Sequence, residues 1–199
     1  MRINIRATLI MLLIVAAVSL VPAAAQSPSS MASKPSAELA LTYTYLHANA
    51  PPNSCGCFSM NGGGVSFAYA VSHSFSVVAE AGATTAGNVN STGLDVTLSE
   101  YLAGTRYSLR RPARFTPYGQ LLIGAAHASG ALAPGQFGVG SSTSFAMAAG
   151  GGVDLSLTRH LAFRLVQADY LLTLLPNRTN NLQNNFRFST GIVFHFGGK

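Results

Sequence analysis

Charge is scarce in this sequence: Asp, Glu, Lys and Arg together make up 9% of its 199 residues. A soluble domain carries about a quarter, because its surface must be wetted. Beyond residue 21 there is also no apolar run approaching the roughly 20 residues that a membrane-spanning helix needs. The first scarcity argues against an ordinary soluble domain, and the second excludes a bundle of membrane helices. A chain that is apolar overall and free of spanning helices can still meet lipid through alternating strands. Cysteine is nearly absent as well. Cys55 and Cys57 lie in one loop, their spacing closes only a small strained ring, and no second pair is present to complete a zinc site. His47, His73, His160 and His195 are scattered singly, so no metal is expected. No phosphate-loop or dinucleotide fingerprint occurs, and no cofactor is expected. Arg106, Arg110, Arg111 and Arg114 form the one dense basic cluster. Without an interleaved aromatic platform it does not argue for nucleic-acid binding.

What is present begins with an export signal. Arg2 and Arg6 precede an apolar run over 7–21, and Ala23-Ala24-Ala25 offers a small-residue exit before Gln26. This is the pattern of a cleaved secretory signal peptide over 1–25. Residues 26–37, rich in Ser, Pro and Ala, read as a disordered leader. Residues 38–199 remain as one domain.

The end of the chain sets the pattern for that domain. Phe186, Phe188, Thr190, Ile192, Phe194 and Phe196 alternate with Arg187, Ser189, Gly191, Val193 and His195. The two-residue period is that of a strand, with a large apolar face and a small or polar one. A soluble sandwich would carry Lys and Glu on the second face. Small residues with a lone arginine instead suit the inside of a narrow barrel whose outside meets lipid.

Seven further strands repeat the pattern, over about 38–47, 65–71, 75–82, 95–108, 115–128, 144–154 and 161–171. The Gly62-Gly63-Gly64 run and residues 129–143 read as loop. Strand seven breaks parity, because Arg164 falls opposite Gln167 and Asp169; a β-bulge near Leu165-Val166 would return all three to the interior. Connections alternate long and short from first to last, as surface loops and periplasmic turns do in a barrel with both ends in the periplasm. The fold class expected is all-β: an eight-stranded antiparallel up-and-down transmembrane β-barrel. A soluble eight-stranded barrel of the lipocalin kind is the alternative, with the large residues turned inward.

The strand Tyr101-Leu102-Ala103-Gly104-Thr105-Arg106-Tyr107, the strand start Pro117-Tyr118-Gly119-Gln120, Asp169-Tyr170 and the aromatic-ended final strand join the signal peptide in one resemblance. The chain resembles the small bacterial outer-membrane β-barrels of the OmpA/OmpX kind over essentially its whole length past residue 25. The resemblance implies a Gram-negative outer membrane, contact with its lipids, and no shared cofactor. It also implies that the barrel-assembly machinery reads the terminal aromatic; here Phe196 is followed by Gly197-Gly198-Lys199, which displaces that signal.

Two sets of residues follow as candidates. Glu80, Glu100, Arg106, Gln120, Asp154, Arg164, Gln167, Asp169 and Arg187 fall on the inward face and are expected to form a structural salt-bridge and hydrogen-bond network. A narrow ion path is the functional alternative. Tyr43, Tyr45, Tyr69, Tyr101, Tyr107, Phe186 and Phe196 are expected at the membrane interfaces. No catalytic residue is assigned, and the expected role is structural, surface-interacting or limited small-solute passage. The enzymatic alternative rests on His127 and Ser129. A His-x-Ser step at the loop end of a barrel strand is similar to the pair of outer-membrane lipid A deacylases, although no carboxylate is found to orient the histidine. The loops, rich in Gly, Asn and Ser, name no ligand, and the oligomeric state is not legible.

Overall fold

In the computed structural model the described residues are 36–48, 57–89, 95–109, 114–130, 140–176 and 181–197. The expected signal peptide, Cys55, Arg110, Arg111 and part of each long loop lie outside them. Eight strands follow in chain order: β1 (Ala37–Ala48), β2 (Phe58–Ala70), β3 (Phe75–Ala86), β4 (Val96–Ser108), β5 (Phe115–Gly130), β6 (Gly140–Ser156), β7 (Leu161–Thr173) and β8 (Gln183–Phe196). Each pairs antiparallel with its neighbour in sequence, and β1 pairs with β8 to close the barrel. Closure leaves no edge strand, so within the closed part of the barrel each strand's backbone pairs with a neighbour on both sides.

Burial alternates along the strands, and the large residues are the exposed ones. Phe67, Tyr101, Leu121, Ile123, Phe188 and Ile192 stand outward, while Ala68, Leu102, Leu122, Arg187 and Val193 are buried. This inverts the soluble-barrel arrangement and sets aside the lipocalin alternative. On β8 the apolar outer face runs from Phe186 to Phe196. Ten steps at about 3.4 Å, tilted by about 40°, rise about 26 Å, which matches the height of a lipid-facing band.

Bulge geometry accounts for the parity break in strand seven. The β7–β8 register slips between Arg164 and Gln167. Leu165 and Val166 both face outward, and Arg164, Gln167 and Asp169 are all buried.

Two segments read as loop are strand. Gly62, Gly63 and Gly64 belong to β2 and pair with Thr44, Tyr43 and Thr42 of β1. A side chain at Gly62 would run into the carbonyl of Ala83 on β3, so the glycine permits a close backbone approach. Likewise β6 begins at Gly140, and its Ser-rich start is carried by pairing to the upper end of β5. Turn-like composition hides both, because strand pairing overrides weak local propensity.

Candidate functional site: the filled barrel interior

The interior is layered. Toward the loop end, Leu46, Met60, Leu98, Ala126, Ala146 and Leu171 are buried together in one apolar cluster. Toward the short-turn end, Ala40, Ala162 and Val193 form a smaller one. Polar groups occupy the space between, where barrel closure brings seven strands to one axis.

Arg187 of β8 is the hub. Its Nη1 donates to Glu100 Oε2 at 2.7 Å and also pairs with Glu80, while its Nη2 donates to Asp169 Oδ2 at 2.7 Å. Asp169 extends the network both ways: Gln120 Nε2 donates to its Oδ1 at 3.3 Å and Gln167 Nε2 to its Oδ2 at 2.7 Å. From Gln120 the chain of bonds reaches Arg106, whose Nη2 donates to Gln120 Oε1 at 2.9 Å. From Gln167 it reaches Arg164, whose Nη1 donates to Gln167 Oε1 at 2.8 Å. Arg164 also holds Asp154 in a fork, Nε to Oδ1 at 2.9 Å and Nη2 to Oδ2 at 3.1 Å. Such planar two-point pairing is what arginine offers and lysine does not.

All nine inward polar candidates therefore occupy one continuous network. Two members were missing from it. Tyr118 lies at 4.4 Å from the Arg106 guanidinium carbon and 4.9 Å from that of Arg164, measured to the ring centroid, and its hydroxyl donates to Gln167 at 2.9 Å. It is a cation–π partner for two buried charges at once. The signal was available, since Tyr118 shares the parity of Gln120. Glu38, on the inward face of β1, approaches Arg106 Nη1 at 3.8 Å and His195 Nδ1 at 3.6 Å. With Glu38 included, five carboxylates (Glu38, Glu80, Glu100, Asp154, Asp169) face three arginines (Arg106, Arg164, Arg187). The surplus is acidic, and Glu100 Oε1 is buried without a hydrogen-bond partner among the described residues.

The outer aromatics lie at the two edges of the apolar face. Above Tyr101, the outer face of β4 turns to Ser99 and Thr97; below, it ends at Tyr107. Tyr43 donates to Asn61 Oδ1 at 2.6 Å and Tyr45 shares a hydrogen bond with Ser59 at 2.7 Å, so both hydroxyls reach polar groups at the loop end. Phe186 and Phe196 mark opposite ends of β8, and Tyr69 stands near the short-turn end of β2. Partition of rings with their hydroxyls toward the polar side is how aromatic girdles sit.

His127 and Ser129 both lie on the outer face of β5. The imidazole Nδ1 is hydrogen-bonded to Thr143 Oγ1 at 2.7 Å. A hydroxyl, not a carboxylate, occupies the orienting position.

A closed eight-stranded barrel with an apolar exterior and a packed polar interior defines a class: the small membrane barrels. The chain belongs to the outer membrane protein beta-barrel domain family, whose model matches residues 13–196. No curated protein matches it in sequence. Its fold is similar to that of Neisserial surface protein A, with 15% identity, a TM-score of 0.61, and 80% of this chain covering 97% of the other. It is also similar to Ail, the attachment invasion locus protein of Yersinia pestis, with 15% identity, a TM-score of 0.52, and coverage of 83% and 100%.

Proposed function

We propose that the protein is a closed, non-conducting outer-membrane barrel that serves as a scaffold for surface contact, without an enzymatic site. The observation that carries this reading is the lumen. A continuous network from Glu38 to Asp154 occupies its middle, and an apolar layer that includes Leu46, Met60 and Leu171 closes the loop end. An eight-stranded barrel is wide enough for side chains alone, so solute passage is the weaker of the roles the fold allows. Hydrolysis is weaker still, because Thr143 supplies His127 with no negative charge to stabilise an imidazolium. Export through the signal peptide over 1–25 and recognition of the terminal strand by the assembly machinery complete the reading.

Planar-bilayer recording tests it. Wild type and Glu100→Ala are both expected to give no discrete conductance steps, since the apolar layer remains in each. Regular steps in wild type that change on Glu100→Ala would replace the scaffold reading with that of a pore.

A further inference from the structure

A small cavity inside the barrel has no part in the scaffold reading. It lies against the β1–β2–β3 wall, and Thr42, Thr84, Glu80, Glu100 and Arg187 line it. Its volume is about 10 Å³, counted as the space open to the centre of a water-sized sphere. That is room for one water or one bare ion. Missing side chains make the space. Gly64 and Gly82 are cross-strand partners on β2 and β3, both on the inward parity of Ser66 and Thr84, and both border the cavity.

Its lining has a definite chemistry. Glu100 is only 4% exposed, and its Oε1 has no hydrogen-bond partner among the described residues. Its other oxygen, Oε2, accepts from Arg187. Around that one guanidinium stand three carboxylates, Glu80, Glu100 and Asp169, so two negative charges are in local excess. The hydroxyls add acceptors. Thr42 donates to the Gly64 carbonyl at 3.3 Å and Thr84 to the Met60 sulfur at 4.0 Å. Each spends its single proton there and keeps its lone pairs.

We propose that this cavity is a binding site for a single dehydrated alkali cation, held by Glu100 Oε1 together with the Thr42 and Thr84 hydroxyls. The cation offsets part of the buried acid surplus, which a burial without counter-charge would make costly. A water would offset none of it and would bring lone pairs of its own to a lining rich in acceptors. Magnesium keeps several of its waters and calcium takes roughly six to eight oxygens. The space admits one sphere, and Arg187 already occupies an oxygen of both Glu80 and Glu100. Among the described residues no group of three His, Cys, Asp or Glu is arranged to hold a metal ion, which sets zinc aside. The ion is resident rather than in transit, because Leu46 and Met60 belong to the apolar layer that closes the loop end.

The test refolds the full chain into phosphatidylcholine vesicles at one ionic strength, in sodium, potassium or tetramethylammonium chloride, and follows urea unfolding. Refolding in each salt lets the ion enter before the barrel closes, and tetramethylammonium is too large for the cavity. Heat-modifiable gel mobility is scored first, so that loss of the barrel reads differently from loss of the site. Wild type is expected to unfold at a urea midpoint about 0.3–0.5 M higher in sodium, potassium or both than in tetramethylammonium, saturating with concentration. Glu100→Gln is expected to abolish the difference. So is Gly82→Ala, whose Cβ would meet nothing nearer than the Gly63 carbonyl oxygen at 3.5 Å and so fills the cavity without forcing the backbone. Glu38→Gln removes a carboxylate outside the lining and is expected to keep it. Equal midpoints for wild type in all three salts would overturn the site and leave the space to a water or a proton. A difference that survives in either folded cavity variant would overturn it as well, reducing it to a general effect of the electrolyte.

Discussion

Arg187 touches three carboxylates from three different strands, so its removal strands Glu80, Glu100 and Asp169 inside the barrel together. Breaking a buried pair by deleting one partner costs about 3–5 kcal/mol, because the remaining charge has lost its solvent and its counterion. Arg187→Ala is expected to lose at least that much in reversible urea unfolding in lipid vesicles. Arg187→Lys should fall between, since an ammonium cannot fork across all three. Glu100 gives the opposite expectation. Its Oε1 has no hydrogen-bond partner among the described residues, and the network already holds more acids than arginines. Glu100→Gln keeps an acceptor for Arg187 and removes one buried charge, so its stability should stay within about 1 kcal/mol of wild type. A loss as large as that of Arg187→Ala would contradict the surplus of acid. Gly152 is a different kind of constraint. A Cβ there would come within 2.5 Å of the Val166 backbone carbonyl oxygen on β7 and 2.7 Å of the Tyr118 hydroxyl. Gly152→Ala should displace Tyr118 from Gln167 and cost about 1–3 kcal/mol by overpacking.

At the scale of strands, the β7 bulge makes a sharp distinction between two deletions. Removing Val166 leaves Arg164 and Gln167 separated by one outward residue, so regular alternation returns and the network keeps its members. Removing Ala168 instead throws Asp169 toward lipid. The first deletion is expected to refold to a heat-modifiable band, and the second to lose it. This bulge was legible in the sequence because three polar residues at broken parity demanded one extra residue between them. The nine inward polar residues were legible for the same reason, as parity alone assigns a face. What could not be read was pairing. Gly62-Gly63-Gly64 and Ser141-Ser142 carry loop composition, and only their pairing makes them strand, the glycines with β1 and β3 and the serines with β5. Glu38 was hidden by its place at a strand end, where one residue decides its face. The outer face yields a depth-dependent expectation. Ile123→Arg, near the middle of the apolar band, should destabilise by about 2–4 kcal/mol, and Ser141→Arg at the rim by about 1 kcal/mol or less.

The barrel is turned inside out relative to a soluble one. Phenylalanines and leucines form the outside, and arginines paired with acids hold the inside. Each feature demands the other: an apolar exterior needs lipid, and a buried interior needs its charges paired. Relatives of the same fold share only 15% of their residues with this chain, so the architecture transfers and the loop specificity does not. The protein is therefore a closed barrel built for a membrane. The most direct test of this is the gel mobility of the full chain after refolding in detergent, loaded in SDS with and without boiling. The unboiled protein is expected to run as a compact, faster species that shifts to the unfolded position only on heating. A single position regardless of boiling, from a protein that stays soluble without detergent, would contradict it.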